Sequence, residues 1–306
     1  MSNKIILGSR GSKLSIAYAN KVLSLLSNIK PALEKEVILK IIKTSGDLFD
    51  KKKISEIGGK NLFCKEIEDK LISKEIDIAV HSLKDLDSVE TEGLVIQAYL
   101  KRNDPRDTLV SSKFKKLSEL NGQKIGSSSR RRELQLKQLN RNIKVESIRG
   151  NIDTRIKKIE NGEYDGAILA LAGLKVLNLE KYAKEIFSLK DFLPTAGQGI
   201  VAVQCRAQDD HIKKILKEIN HKETETCALA ERSFLKTLGG DCDTAVGCTA
   251  ILNKKDIELK AQLFSDDGTK VFNILKTGKE NEPELLGKLA GEEILKQSGK
   301  NFRKKR

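Results

Sequence analysis

Tryptophan is absent from this chain of 306 residues, and aromatic residues make up only 4% of it. Platforms that hold single-stranded nucleic acid stack bases on such rings, so that function class is disfavoured. Histidine is equally scarce: His81, His211 and His221 stand apart, at no metal-ligand spacing. A transition-metal centre has little to be built from. Cys64, Cys205, Cys227, Cys242 and Cys248 form an odd, irregularly spaced set with no Cys-x-x-Cys pair. That argues against a disulfide framework and a structural zinc site alike. No stretch approaches the roughly 20 apolar residues of a membrane-spanning helix. The short apolar run Ile5-Ile6-Leu7 leads straight into polar Gly-Ser-Arg-Gly-Ser, unlike a signal peptide. The expectation is a cytoplasmic protein that does not engage a membrane.

Cationic residues are plentiful. Lysine and arginine number 57 against 43 acidic residues, a formal charge of +14. Such an excess calls for an anionic partner: nucleic acid, an acidic membrane surface, or a polycarboxylate or phosphate ligand. Much of it is lysine scattered through helix-period segments, the pattern of a solvated face. Arginines in short motifs are more specific.

Apolar runs of strand length alternate with helix-period segments through the first two-thirds of the chain. Ile5–Leu7, Val37–Ile42, Ile76–Val80, Leu94–Tyr99 and Thr108–Val110 read as strands. Lys124–Gly126, Val145–Ile148 and Gly166–Leu171 continue the series, and Leu14–Leu26, Leu62–Ile72, Arg131–Leu139 and Ile152–Ile159 read as helices. Alternation of this kind predicts α/β domains with largely parallel sheets. Arg102-Asn-Asp-Pro-Arg106 and Leu193-Pro-Thr-Ala-Gly-Gln-Gly199 punctuate the series as polar, proline-containing links. After His221 comes a long helix ending at Gly239-Gly240, then strands Ala245–Leu252 and Ile257–Phe264, then a helix from Pro283 to about Gln297. That is an α+β appendage.

Three strand-to-helix turns carry arginine beside small polar residues: Gly8-Ser-Arg-Gly-Ser12, Ser127-Ser-Ser-Arg-Arg-Arg132 and Arg149-Gly-Asn-Ile-Asp-Thr-Arg155. In open α/β sheets ligands bind where such turns sit, at the carboxyl ends of strands. Guanidinium forks match carboxylates better than ammonium groups do, which favours a polycarboxylate. An arginine in a first helical turn also opposes the helix dipole, so three idle ones are improbable. Other motifs are weaker by themselves. Ser12 reads as a helix cap, Asp85 in His81-Ser-Leu-Lys-Asp85 as a cap or surface ion pair, and Gly58-Gly-Lys-Asn-Leu-Phe63 as a turn. Cys242, in the loop Gly239-Gly-Asp-Cys242, is an accessible nucleophile or one more inert thiol.

Taken in order, these segments resemble the hydroxymethylbilane synthase (porphobilinogen deaminase) family. The resemblance is carried by Ser9-Arg-Gly-Ser-Lys-Leu14, Gly58–Phe63, Ala79-Val-His-Ser-Leu-Lys-Asp85 and Ser127–Arg132, then by Arg149-Gly-Asn151, Leu193–Gly199 and the loop around Cys242. It implies two periplasmic-binding-protein-like α/β domains with crossover hinges and a smaller α+β C-terminal domain. Domain 1 would be residues 1–101 with 199–219, domain 2 residues 102–198, and domain 3 residues 220–306.

It further implies a transferase of tetrapyrrole (haem) biosynthesis. Porphobilinogen molecules condense head to tail, four per product, on a dipyrromethane primer attached covalently to Cys242, and water releases linear hydroxymethylbilane. Asp85 takes the role of catalytic aspartate, with Arg10 and Lys84. Its carboxylate would accept hydrogen bonds from pyrrole N–H groups and stabilise the cationic azafulvene left by loss of ammonia. Ser12, Lys84, Ser128, Ser129, Arg131 and Arg132 would hold the primer; Arg10, Phe63, Arg149, Arg155 and Gln198 would meet substrate. A monomer without metal or nucleic acid is expected. Asp87, Asp241 and Ala245 depart from the usual pattern. So does Val176, which stands where arginine is common and leaves a carboxylate contact missing or shifted to Lys175. Two rivals rest on the same residues. An anion-capturing binding protein lacks an export signal and leaves Asp85 and Cys242 unexplained, and a nucleic-acid binder rests on charge and the basic tail alone.

Overall fold

The computed structural model describes residues 4–31, 33–44, 64–239 and 244–299. In chain order its first strands and helices are β1 (Ile5–Arg10), α1 (Lys13–Ile29), α2 (Leu33–Glu36), β2 (Val37–Ile42), α3 (Lys65–Ile72), β3 (Ile78–Ser82) and β4 (Leu94–Tyr99). Next come β5 (Asp107–Val110), β6 (Lys124–Gly126), α4 (Arg130–Leu139), β7 (Lys144–Glu146), α5 (Ile152–Glu160), β8 (Gly166–Ala170), α6 (Leu171–Val176) and β9 (Ala183–Ile186). The last are β10 (Val201–Arg206), α7 (Asp210–Lys217), α8 (Lys222–Leu238), β11 (Val246–Asn253), β12 (Asp256–Phe264), β13 (Val271–Lys279) and α9 (Pro283–Ser298). None of the described helices is long and apolar enough to cross a membrane.

The chain divides into two compact units, 1–103 with 199–228 and 104–198 with 229–306, and the division falls inside α8. In the first unit the sheet order is β2-β1-β3-β10-β4. Strands β1, β2 and β3 are parallel neighbours, whereas β10 runs antiparallel to both β3 and β4. Helix α1 forms because Ser12 caps it, accepting from Ser15 N–H at 3.2 Å, and because Tyr18, Ala19, Val22 and Leu26 make one buried stripe.

The second unit repeats the plan. Its sheet runs β7-β6-β8-β5-β9, parallel through β7, β6 and β8, with β5 antiparallel between β8 and β9. In each sheet the reversed strand follows a crossover between the units in sequence. Largely parallel sheets were expected, and these two reversed strands are the exception to them. Leu109, Ile125, Leu136, Ile168 and Phe192 close the core on one side of this sheet.

The same unit contains the antiparallel sheet β11-β12-β13. Strand β13 is absent from the sequence expectation because only Ile274 of its nine residues is buried, too little to write a period. Helix α9 lies close against α8. A Cβ at Gly287 would overlap Ala230 O and come within 2.8 Å of Phe234 N, both on α8. Gly287→Ala therefore forces the helices apart, at about 1–3 kcal/mol, more than the ~1 kcal/mol that alanine gains as a helix former. A thermal melt is expected to show a Tm several degrees lower; a raised Tm would mean that the helices separate freely.

Candidate functional site

The carboxyl ends of parallel strands gather the chemistry in both units. In the first, β1 and β3 are neighbours in register, with Gly8 opposite Ala79. Arg10 ends β1 and Ser12 starts the helix beyond it. Lys84 and Asp85 form a 3-10 turn directly after β3, both exposed to solvent. The turn is held by its main chain: Leu83 N donates to Ile200 O at 3.0 Å and Leu86 N to Leu83 O at 3.2 Å. The Cys64 thiol donates to Asp85 O at 3.4 Å. Burial, then the charges of Asp85, Glu68 and Asp87, push that thiol far up, with Arg10 opposing. It is a neutral donor, not a nucleophile.

His81 is not placed for proton transfer with solvent. It is 5% exposed, and burial brings it down to about 4, so it is neutral at physiological pH. Behind it, Gln204 donates to Glu68 Oε1 at 2.9 Å and Thr91 to Glu68 Oε2 at 2.8 Å, with Gln204 and Glu68 both buried.

In the second unit, Ser129 caps α4 and Ser128 donates to Ile148 O at 2.7 Å. That bond ties the turn after β6 to the turn after β7, where Arg149 and Arg155 lie half-buried. Arg155 Nε donates to Gly150 O at 2.7 Å. Arg131 and Arg132 are buried, at 4% and 8% exposure. Asp107 lies between them, fully buried, accepting from Arg131 at 2.9 Å and Arg132 at 2.7 Å. Gln198 closes the group: its amide donates to Asp107 at 2.9 Å and to Pro105 O at 2.7 Å. Asp107 reaches this place because β5 is reversed, so its first residue pairs with Ala170, the last of β8.

Burial alone would raise Asp107. The charges of Arg132 and Arg131, with hydrogen bonds from Arg132 and Gln198, outweigh it and hold the carboxyl well below its usual value. Each arginine still has a buried Nε with no hydrogen-bond partner among the described residues. Lys175, the proposed substitute for an arginine at 176, is exposed and paired with Asp104 at 3.1 Å. Hydrogen bonds from Arg106 hold Asp104 low.

The structure thus gathers Arg10, Ser12, Lys84 and Asp85 at one sheet's end, and Ser128, Ser129, Arg131, Arg132 and Gln198 with the Arg149–Arg155 turn at another's. Phe63 and Cys242 lie outside the described residues. The other cysteines, Cys64, Cys205, Cys227 and Cys248, are buried. Asp107, Glu68, Gln204 and Glu231 are organising residues that sequence reading missed; nothing local distinguishes them, since their partners lie far along the chain.

Two five-stranded sheets of like order, each with arginines at its strand ends, define the class as a two-unit α/β protein. The particular family comes from comparison. The family model "Porphobilinogen deaminase, dipyromethane cofactor binding domain" matches residues 5–214, and "Porphobilinogen deaminase, C-terminal domain" matches residues 225–296. The chain is 37% identical to the porphobilinogen deaminase of Nitrobacter hamburgensis over 97% of this chain and 94% of that one. It is 40% identical to that of Ehrlichia canis, over 94% and 99%, and 39% identical to that of Chlorobium phaeovibrioides, over 99% and 97%. The chain belongs to the porphobilinogen deaminase family. Among solved structures, the VFT2 domain of Bordetella pertussis BvgS is 15% identical, with a TM-score of 0.45 over 71% of this chain and 86% of that one. The methionine-binding protein MetQ is 13% identical, with a TM-score of 0.46 over 72% and 91%.

Proposed function

We propose that Asp85 is the catalytic carboxylate of a hydroxymethylbilane synthase and that Cys242 carries its primer. This transferase condenses porphobilinogen units with loss of ammonia and releases a linear tetrapyrrole. The observation that carries the reading is the solvent-facing Asp85 carboxylate beside Lys84, at the end of a strand whose neighbour presents Arg10 and Ser12.

The donors present suit a ligand rich in carboxylates, since Arg131 and Arg132 each keep a buried Nε without a partner among the described residues. The dipyrromethane, when bound, supplies the ring to which porphobilinogen is joined. Asp85 accepts hydrogen bonds from pyrrole N–H groups and offsets the positive charge that deamination leaves on the substrate. It also moves protons, to the departing amine and from the ring carbon after coupling. Arg131, Arg132, Ser128 and Ser129 hold primer carboxylates; Ser12 and Lys84 assist. Arg10, Arg149, Arg155 and Gln198 orient substrate carboxylates, and Phe63 covers the reacting rings.

The reading divides the chain into domains at 1–101 with 199–219, 102–198 and 220–306. It makes the protein a cytoplasmic monomer whose only partner is small-molecule porphobilinogen, with no nucleic acid or membrane. Intact mass and peptide mapping test it: two linked pyrroles are expected on the Cys242 peptide, and none in Cys242→Ser. A Cys242→Ser protein loaded like the parent would refute the attachment. So would a parent that stays unmodified after incubation with porphobilinogen.

A further inference from the structure

Strand β11 is the edge of the C-terminal sheet, and an exposed edge leaves alternate main-chain N–H groups unpaired. Here two of them, at Cys248 and Ala250, are met from outside the sheet. Cys248 N donates to Pro194 O at 2.8 Å, and Ala250 N donates to Glu231 Oε1 at 2.7 Å. Glu231 is fully buried on α8, and its other oxygen, Oε2, accepts from Gly197 N at 2.6 Å. One carboxylate therefore joins β11 to the turn that presents Gln198.

That turn is fixed from its other side by α4. Gln135 donates to Leu193 O at 3.0 Å and accepts from Leu193 N at 2.6 Å, and Arg131 reaches the same carbonyl at 2.7 Å. Gly197 itself has φ +73°, a conformation that suits glycine. The next residue, Gln198, bonds Asp107 between the two arginines. A carboxylate receiving two main-chain N–H groups is a rigid, charge-assisted clamp.

We propose that Glu231 is a positioning residue for the transferase reaction: it registers β11, the strand that follows the Cys242 loop in sequence, against the Gly197–Gln198 turn. Gln198 is thereby held against Asp107 and Arg132. This rests on the reading of Arg132 and Gln198 as carboxylate-binding residues. Glu231→Gln keeps the shape but turns an amide N–H₂ toward one of the two N–H donors, so one bond is lost and β11 is uncoupled from the turn.

The test is a double-mutant cycle read by kcat and KM on the folded, primer-loaded fraction of Glu231→Gln, Gln198→Ala and the double variant. Misplacing a binding group by about 1 Å can cost up to ~100-fold, so Glu231→Gln is expected to lower kcat/KM by about 10-fold. In the Gln198→Ala background the same change is expected to cost less than about 2-fold, because coupled residues are non-additive. Parent kinetics in Glu231→Gln, even with a lowered Tm, would leave Glu231 as scaffold only and overturn the proposal. Independent, multiplying effects would overturn it too. If Gln198→Ala alone keeps parent kcat and KM, the site reading fails; if it is impaired while Glu231→Gln is not, only the coupling fails. Should Glu231→Gln not fold, hydrogen exchange on the parent decides. Gly197 and Ala250 amides are expected to be protected alike, and fast exchange at Gly197 beside a protected Ala250 overturns the clamp.

Discussion

Replacing Asp85 by asparagine is expected to lower kcat by about 10²–10⁴-fold, the span that general acid–base groups contribute. Tm should stay within about 1 °C of the parent, because the carboxylate is exposed and surface changes of this kind have small effects on stability. Three contacts that shape the turn use its own main-chain atoms: Leu83 N to Ile200 O, Leu86 N to Leu83 O, and Asp85 O accepting from the Cys64 thiol. Asparagine keeps every one of them. What it removes is the charge, and with it the means to offset a developing cation and to take a proton. A second readout follows from the same charge. Burial, followed by Asp85, raises the buried Tyr18 phenol to about 12. In Asp85→Asn the tyrosine absorbance titration should move down while staying above that of a free phenol, because burial remains. Asp85→Glu restores the charge one methylene away and should recover part of kcat. Near-parent turnover in the asparagine variant would end the assignment of Asp85.

Much of this was legible in local sequence. The cap at Ser12, the helix behind it and the strand-to-helix turns depend on residues within a few positions of each other, and such patterns read directly. Chain reversal was not legible. Strands β5 and β10 are short apolar runs like their neighbours, and a run of that kind carries no sign of its direction. Asp107 follows a proline-containing polar link and looked like more of it; its burial is set by Arg131 and Arg132, some two dozen residues on. Glu231 in α8 was hidden for the same reason, its partners being Gly197 and Ala250. The arginines illustrate the limit from the other side. Their position in the first turn of α4 implied a compensating anion, and one exists, but part of it is supplied by the protein itself through Asp107. Each also keeps a buried Nε without a hydrogen-bond partner among the described residues.

Replacing Asp107 by asparagine is expected to destabilise the second unit by about 3–5 kcal/mol, the cost of breaking a buried ion pair while its partners stay charged. A guanidinium does not give up its proton in a protein, so Arg131 and Arg132 would face each other without a counter-ion. Burial already works against the Arg131 charge, and Asp107 is what supports it. At ~2–4 °C per kcal/mol for a body of this size, Tm should fall by roughly 10 °C. The pH dependence carries the sign of a carboxyl held below its usual 3.8. Above that value the unfolded chain is also ionised and the stabilisation is complete. As pH falls below it, the unfolded carboxyl binds a proton that the folded one resists, and the contribution is lost. Urea titrations of parent and variant should therefore differ most at neutral pH and converge as pH drops below about 4. A gap that persists unchanged at pH 3 would show that Asp107 acts through shape rather than charge. Primer binding separates the roles further. Guanidinium groups freed from Asp107 are available to carboxylates, so loading with dipyrromethane should recover more stability in the variant than in the parent. Equal stabilisation of both by the primer would mean that Arg131 and Arg132 do not reach it.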